Sequence, residues 1–279
     1  MVPDPGISPF FPKKYYFPSC GDANIASLSP IAMKASIDNF STASAQYAQF
    51  RPDYPLELYH YLYARVKHFD CAWDCGTGNG QVALVLAERF NQVQASDLSA
   101  AQIEQAAPHP RIQYNVCRAE QSPYAEHQFD LITVAQALHW FDFGAFYAEV
   151  GRVAKPGALL AVWGYGLLSV HPEIDPWIQH FYRSIIGPYW DAERHHIDEA
   201  YAQIPFPFTT VEQAHFSIHK RWSLEQFCGY LGTWSSVKKY IQEHNEDPVA
   251  RLQPQLQAWW PEGQVLDIRF PIFLKTGQV

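Results

Sequence analysis

An aspartate followed by alternating glycines is the stretch of this chain best suited to chemistry. It reads Asp-Cys-Gly-Thr-Gly-Asn-Gly from Asp74 to Gly80 and follows a short apolar run. Apolar residues at helical spacing begin at Val82. Glycines between a strand and a helix let the backbone turn tightly and let a ligand lie against peptide groups. The stretch therefore predicts the strand, turn and helix that open a nucleotide-binding βαβ unit.

The spacing of the glycines separates the classes of nucleotide. A dinucleotide-binding loop reads G-x-G-x-x-G, and a P-loop carries Lys and then Ser or Thr after its last glycine. Here the glycines alternate, and Gln81 and Val82 follow Gly80. The P-loop interpretation thus lacks its basic residue. The dinucleotide-binding interpretation, which would imply hydride transfer, lacks its glycine spacing. A tight turn without a ligand, as in any α/β protein, is the alternative that the loop alone leaves open.

A second carboxylate, Asp97, follows the apolar run that begins at Val93. At the carboxyl end of a second strand, an aspartate is placed to accept hydrogen bonds from both hydroxyls of an adenosine ribose. NAD and an adenosyl ligand would use it alike. The alternative is a helix N-cap, because Ser96, Asp97 or Ser99 precedes a helical segment over roughly residues 99–107.

Further apolar runs supply the elements that must position these residues. Three have the length of buried strands, at about Ile112–Val116, Phe129–Val134 and Ala158–Trp163. Lys155-Pro156-Gly157 is expected to end the helix before the last of them. Strands and helices alternating at this rhythm predict a parallel, doubly wound sheet with its ligand beyond the carboxyl ends of the strands. Residues expected on that edge are Asp74, Asp97, Ala119, Glu120, Ala135 and Gln136.

These signals together resemble the class I S-adenosylmethionine-dependent methyltransferases over roughly residues 40–165. Asp74 to Gly80 looks like their first motif and Asp97 like their ribose acid. Ala119-Glu120 looks like their loop beside adenine, and Phe129 to Phe141 like their fourth-strand motif. Cys117-Arg118 stands where these enzymes usually carry Gly-Asp.

Three further motifs are similar to the trans-aconitate methyltransferase-like branch, which carries a methyltransferase type 11 domain. They are Tyr47-x3-Arg51-Pro-x-Tyr-Pro55, Gln136-Ala-Leu-His-Trp-Phe-Asp142 and Trp222-Ser-Leu-Glu-Gln-Phe with the later Trp234-Ser-Ser-Val.

The resemblance implies an α/β fold with a doubly wound, seven-stranded Rossmann-like sheet, its last strand antiparallel, and helical cap insertions. It implies S-adenosyl-L-methionine as the cofactor. The residues implied to bind it are Tyr47, Arg51, Asp74, Gly76, Thr77, Gly78, Gly80, Asp97, Leu98, Ala119, Glu120, Ala135, Gln136 and Trp140.

The chain is expected to form one methyltransferase domain, residues 33–279, after an extension. Six prolines break every helical or strand period near the N-terminus, so residues 1–32 are predicted to be poorly ordered. Within the domain we expect a cofactor-binding core over about 66–165, cap and acceptor elements from 33–60 and 166–260, and a final strand over 265–275.

The resemblance predicts methyl transfer to a small-molecule acceptor, a carboxylate, hydroxyl or amine, by in-line displacement. Such an enzyme mainly positions the reactants and excludes water. A carboxylate needs no base, whereas a hydroxyl or amine would, and His139 is the candidate for that base or for positioning the acceptor. The alternative for His139 is a structural residue that is hydrogen-bonded to backbone. Two other functions stay open: a catalytically idle S-adenosylmethionine-binding protein and an NAD-dependent reductase.

The residues past the fifth strand do not identify the acceptor. A tricarboxylate would call for two or three arginines, for which Arg183, Arg194 and Arg221 are available. Aromatic residues such as Trp190 and Trp234 suit a flat or apolar acceptor equally well.

Composition excludes several classes of partner. The net charge is −8 and no basic run exceeds two residues, which argues against nucleic acid because that binding needs clustered Lys and Arg. No apolar stretch has the length of a membrane span. The five cysteines are scattered without a Cys-x-x-Cys pair, which predicts reduced thiols in the cytoplasm and no metal site. The sequence does not indicate an oligomeric state.

Overall fold

The computed structural model describes residues 52–279, and seven strands of this part form one sheet in the order β3-β2-β1-β4-β5-β7-β6. Strands β1 to β5 run parallel, and β7 is antiparallel to both of its neighbours, β5 and β6. The strands are β1 Cys71–Cys75, β2 Gln92–Asp97, β3 Ile112–Val116, β4 Phe129–Ala135, β5 Ala154–Tyr165, β6 Thr209–Trp222 and β7 Leu266–Gln278. The predicted seven-stranded, doubly wound sheet is thereby confirmed.

Helices cover both faces of the sheet and also supply a late helical region between β5 and β7. The helices are α1 Leu56–Tyr63, α2 Gln81–Ala87, α3 Ala100–Ile103, α4 Phe143–Val153, α5 Asp175–His180, α6 His195–Asp198, α7 Leu224–Gly232, α8 Ser235–His244 and α9 Pro248–Gln257. A π-helical turn, Phe181–Ile185, extends α5. Ser223 starts α7 with a capping box, in which the Ser223 hydroxyl accepts from the Gln226 N–H and the Gln226 side chain accepts from the Ser223 N–H.

Alternation along the strands divides the core between the two faces. In β1, Ala72 packs with one cluster, and Cys71, Trp73 and Cys75 pack with the other. Strand β5 alternates in the same way, with Trp163 on the first face and Val162 on the second. Because both faces are buried, the apolar strands are held in one register, and this fixes which residues end at the carboxyl edge.

Two boundaries differ from the sequence prediction. Lys155-Pro156-Gly157 does not lie between a helix and β5 but inside β5, which starts at Ala154 directly after α4. Gly157 has φ of +76° and donates its backbone N–H to the Val279 carbonyl, so the strand continues through the turn residues. The helix expected over 99–107 shortens to Ala100–Ile103, and Ser99 is its N-cap.

Two parts of the predicted organisation lie outside the described residues. These are the extension 1–32 and the portion of the cap that precedes Pro52. The described residues include no helix long and apolar enough to cross a bilayer.

Candidate active site

The glycine loop joins β1 to α2 in a conformation that side chains would obstruct. Gly76 has φ of +69°, and a Cβ there would lie 2.6 Å from the Ala137 Cβ. Gly80 has φ of +85°, and a Cβ there would lie 2.5 Å from the Tyr114 hydroxyl. Both positions combine a left-handed backbone with a close neighbour, so only glycine fits without movement.

This loop also contains Asp74, Thr77 and Gly78. The buried Asp74 carboxylate holds the loop in place through hydrogen bonds. Thr77 Oγ1 donates to Asp74 Oδ2 at 2.5 Å, and Thr133 Oγ1 of β4 donates to Asp74 Oδ1 at 2.9 Å. Burial raises the pKa of Asp74 to about 6, although these hydroxyls and the Ala83 N–H oppose that rise. The side chain is only 1 % exposed, so its part is to hold the loop.

Asp97 stands at the end of β2 and faces the same loop. Its Oδ2 accepts from the Gly78 N–H at 2.8 Å, and its Oδ1 accepts from the Ser99 N–H at 2.9 Å. Each carboxylate oxygen can accept a second hydrogen bond, so Asp97 keeps capacity for two hydroxyl donors. Next to it, Leu98 is 45 % exposed, an apolar surface at the same edge.

Ala119 and Glu120 follow β3 and reach toward the loop after β4. Glu120 Oε1 accepts from the Asp142 N–H at 3.0 Å, and Arg118 Nε lies 3.4 Å from Glu120 Oε2. Ala119 is buried in the core cluster of that face. Glu120 therefore ties the two loops together at the carboxyl edge.

Ala135 ends β4, and Gln136 follows it with φ of +55°, an unusual value for a residue with a side chain. The Gln136 N–H donates to the Trp163 carbonyl at 2.9 Å, and its Nε2 donates to the Tyr165 carbonyl at 3.3 Å. Gln136 Oε1 is buried and has no hydrogen-bond partner among the described residues. Such strain is typical of residues at functional sites.

His139 and Trp140 occupy a short 3-10 turn, Leu138–Trp140, after β4. His139 is buried, and its Nδ1 lies 3.0 Å from the Tyr201 hydroxyl. Burial, with the charges of Arg194 and His196, lowers the pKa of His139 to about 3. The imidazole is therefore neutral at physiological pH and a weak base. Trp140 is 36 % exposed beside it.

Comparisons with known proteins identify the family of this chain. The model of a methyltransferase domain matches residues 73–162, which span the glycine loop, Asp97 and the loop after β4. A candidate methyltransferase of Dictyostelium discoideum is 31% identical over 255 residues, which cover 88% of this chain and 97% of the relative.

The chain belongs to the class I S-adenosylmethionine-dependent methyltransferases. A solved structure of a candidate type II methyltransferase from Anaeromyxobacter dehalogenans supports this, with 40% identity and a TM-score of 0.77. The alignment covers 82% of this chain and 98% of that one. An uncharacterised methyltransferase of Mycobacterium tuberculosis is 30% identical over 177 residues, 63% of this chain and 68% of the relative. The family and the enzyme class predicted from the sequence are confirmed, while the trans-aconitate-like branch stays a prediction.

The segment Pro52–Pro55 of this methyltransferase lies against the glycine loop. Asp53 Oδ1 accepts from Gln81 Nε2 at 2.6 Å, and Asp53 Oδ2 accepts from Lys220 Nζ of β6 at 2.9 Å. The predicted cofactor ligands Tyr47 and Arg51 lie outside the described residues.

The edge also contains residues that sequence reasoning missed. Tyr201 is 1 % exposed and reaches His139 from a turn after α6. The Tyr182 hydroxyl accepts a hydrogen bond from Arg194 Nε at 2.8 Å. Neither residue belongs to a motif, and both are brought to the edge by irregular segments, so no pattern in the sequence marked them. Within residues 52–279, no group of three or more His, Cys, Asp or Glu is placed to hold a metal ion.

Proposed function

We propose that this methyltransferase binds S-adenosylmethionine at the glycine loop and transfers its methyl group to a small-molecule acceptor. The observation that carries the proposal is the pairing of the Gly76–Gly80 loop with Asp97. The Gly78 N–H holds the carboxylate at 2.8 Å, which leaves its outer lone pairs for ribose hydroxyls. Gly76 and Gly80 let the loop keep this shape against Ala137 and Tyr114, where a Cβ would collide.

The same loop does not favour a pyrophosphate. Where a P-loop carries its lysine, Gln81 donates to the Asp53 carboxylate at 2.6 Å. Asp74 places negative charge below the loop, which opposes a phosphate, whereas Asp53 is already paired with Lys220 and Asp97 would serve the ribose of either ligand. We therefore favour a sulfonium donor over a dinucleotide, and the cationic charge of such a donor suits this acidic edge.

When bound, S-adenosylmethionine supplies an electrophilic methyl group whose bonding electrons pass to sulfur as the acceptor lone pair forms the new bond. The chain's own residues bind and orient. We propose that Asp97 orients the ribose, that Leu98 packs against the adenine and that Asp74 keeps the loop in shape through Thr77 and Thr133. Trp140, at the edge beside Gln136, is proposed to shield the reacting atoms from water.

For His139 we propose a structural role rather than that of general base, with the Tyr201 hydroxyl as its partner in place of the expected backbone group. Its pKa of about 3 makes it a poor proton acceptor, and its Nδ1 is occupied by the Tyr201 hydroxyl at 3.0 Å. An acceptor that is already an anion needs no proton removal, so this arrangement suits a carboxylate better than an alcohol or amine.

Calorimetry with S-adenosylmethionine and with NADH tests the donor. We expect the wild-type protein to bind S-adenosylmethionine and not NADH, and Asp97→Asn to weaken the former by roughly 10- to 100-fold, since hydrogen bonds to a charged group are lost. Asp267→Asn is the matched control, because that carboxylate is 79% exposed on β7. Uptake of NADH without uptake of S-adenosylmethionine would refute the proposal. Release of S-adenosylhomocysteine in a screen of small acids, phenols and amines then tests transfer.

A further inference from the structure

Arg194 carries a partly buried positive charge that residues 52–279 do not fully pair. It lies in the turn Ala192–Arg194, and only 23% of its side chain is exposed. Its Nε donates to the Tyr182 hydroxyl at 2.8 Å, and Asp198 Oδ1 lies 3.8 Å from the same nitrogen. No other hydrogen bond joins the guanidinium to a described residue. Since a guanidinium has five N–H donors, the two terminal nitrogens are left for a ligand.

Aromatic rings surround this charge. The guanidinium carbon lies 4.9 Å from the Trp190 ring centroid and 5.6 Å from that of Tyr182. Trp234 packs against Trp190 at 5.6 Å and against Tyr182 at 5.7 Å. Trp190 and Trp234 are both only partly buried. Together, Tyr182, Trp190, Trp234 and Arg194 form what we call the Arg194 cluster.

A second donor in the Arg194 cluster also lacks an acceptor. Trp190 Nε1 is buried and has no hydrogen-bond partner within residues 52–279. A buried donor without an acceptor is unfavourable, because it has lost its hydrogen bonds to water. An unsatisfied N–H on Trp190, whose ring centroid lies 4.9 Å from the Arg194 guanidinium carbon, is a second polar group for which a ligand could supply the acceptor.

The Arg194 cluster adjoins the carboxyl edge of the sheet, where the methyl donor S-adenosylmethionine is proposed to bind. The turn Ala192–Arg194 packs against the turn Leu138–Trp140 after β4. Ring contacts continue from Trp234 to Tyr230 at 5.8 Å and from Tyr230 to Phe270 at 5.3 Å. Phe270 meets Tyr165 at 5.6 Å, and the Tyr165 carbonyl accepts from Gln136. The cluster is therefore continuous with the end of β4.

The other candidate arginines do not join it. Arg183 is exposed. Arg221 is 72% exposed and lies 3.8 Å from Asp267. Lys239, in α8, is paired with Asp191 at 2.6 Å. Of these four basic residues, Arg194 is the one whose charge lies against the rings of the cluster. One such cation suits an acceptor with one negative charge better than a tricarboxylate with three.

We infer that the Arg194 cluster is the acceptor site and that it selects a planar, apolar acceptor bearing a single carboxylate, held by the terminal nitrogens of Arg194 with its ring against Trp190 and Trp234. This inference rests on the proposed function. Aromatic side chains stack on a flat ring, and an arginine fork matches a carboxylate.

Titration of the protein with trans-cinnamate, in the presence of saturating S-adenosylhomocysteine, tests the inference. Cinnamamide is the neutral probe of the same shape, and citrate is the polyanion without a ring. We expect cinnamate to bind at least about tenfold more tightly than either, and Arg194→Gln to remove that preference. Arg221→Gln is the control and should change nothing. Arg194→Lys keeps the charge without the fork and is expected to retain part of the preference.

The outcomes separate the two proposals. If the protein takes up S-adenosylhomocysteine but binds cinnamamide or citrate as tightly as cinnamate, the acceptor inference is wrong and the proposed function stands. An Arg194→Gln protein that folds and keeps its cinnamate preference overturns the inference as well. The cinnamate–cinnamamide comparison in the wild-type protein needs no substitution, so it decides even if Arg194→Gln does not fold. If the protein binds neither S-adenosylmethionine nor S-adenosylhomocysteine, the proposed function is refuted, and the acceptor inference that rests on it is refuted with it.

Discussion

The two sides of the candidate active site differ in how their polar groups are satisfied. One side is the glycine loop with Asp74 and Asp97, where the methyl donor is proposed to bind, and we call it the donor side. There, Asp74 and Asp97 each accept two hydrogen bonds from protein groups at 2.9 Å or less. In the Arg194 cluster, Trp190 Nε1 and the terminal nitrogens of Arg194 lack such partners among the described residues. The donor side is thus pre-organised before any ligand binds, whereas the Arg194 cluster has donors that no described residue satisfies.

The largest expected effect comes from Gly76→Ala, which tests whether the donor side is as rigid as this contrast requires. The new Cβ would lie 2.6 Å from the Ala137 Cβ, and both atoms are fixed to backbone. The loops after β1 and β4 must then separate, so we expect the affinity for S-adenosylmethionine to fall by about 100-fold or more, with a lower Tm. Calorimetry and thermal unfolding measure the two effects.

Gly151→Ala is the matched control for that substitution. Gly151 lies within α4, and a Cβ there would meet nothing within 4 Å. Because alanine favours the helix by about 0.5–1 kcal/mol, this variant should be as stable as the wild type or more so, with unchanged affinity. A Gly76→Ala protein that binds as tightly as Gly151→Ala would show that the loop adapts, and the contrast between the two sides would fail.

Thr133→Val probes the hydrogen bonds of the donor side directly. Thr133 is fully buried and donates to Asp74 Oδ1 at 2.9 Å. Valine keeps the shape but leaves the carboxylate short of a donor, so we expect the free energy of unfolding to fall by about 2 kcal/mol at neutral pH. The pKa of Asp74, already raised to about 6 by burial, should rise further. Urea unfolding measures the loss, which should shrink near pH 5, where Asp74 is protonated. Thr209→Val, at an exposed position, should cost little, and an equal cost at both sites would contradict the argument.

The sequence predicted the donor side better than the Arg194 cluster for a physical reason. Alternating glycines and an aspartate after a strand are needed to form the backbone of the loop, so Asp74, Gly80 and Asp97 are recognisable in a single sequence. Apolar runs likewise placed β1 to β4 closely. The start of β5 was misplaced because Pro156 and Gly157 favour a turn, but pairing with β4 and β7 extends the strand through them.

The Arg194 cluster could not be predicted because tertiary packing assembles it. Tyr182 comes from a π-helical turn, Trp190 and Arg194 from short irregular segments, and Trp234 from the start of α8. The sequence offered three arginines with nothing to choose among them.

The pH dependence of stability tests the neutral His139 between the two sides. Its pKa is about 3 in the folded protein, against about 6.5 when unfolded, so the unfolded chain binds the extra proton in that interval. Stability from the neutral imidazole is present above pH 6.5 and is lost as the pH falls toward 3. Near pH 5 the loss is about 2 kcal/mol. In His139→Gln, the fall in stability from pH 7 to pH 5 should be smaller by that amount. Asp74 titrates in the opposite sense, but it is present in both proteins and cancels from the difference. Equal pH profiles would show that His139 is charged in the folded protein.

The smallest expected effect concerns the ion pair that links the donor side to β6. Asp53 accepts from both Gln81 and Lys220, so it connects the start of α2 with a strand on the far side of β7. The Asp53 side chain is 75% exposed and that of Lys220 27%, and pairs this accessible contribute about 0–1 kcal/mol. A double-mutant cycle with Asp53→Asn and Lys220→Met should therefore give a coupling below about 1 kcal/mol that weakens at high salt. A larger, salt-insensitive coupling would mean that the pair is shielded from water and holds the segment before α1 firmly against β6, so that the donor side depends on β6 for its shape.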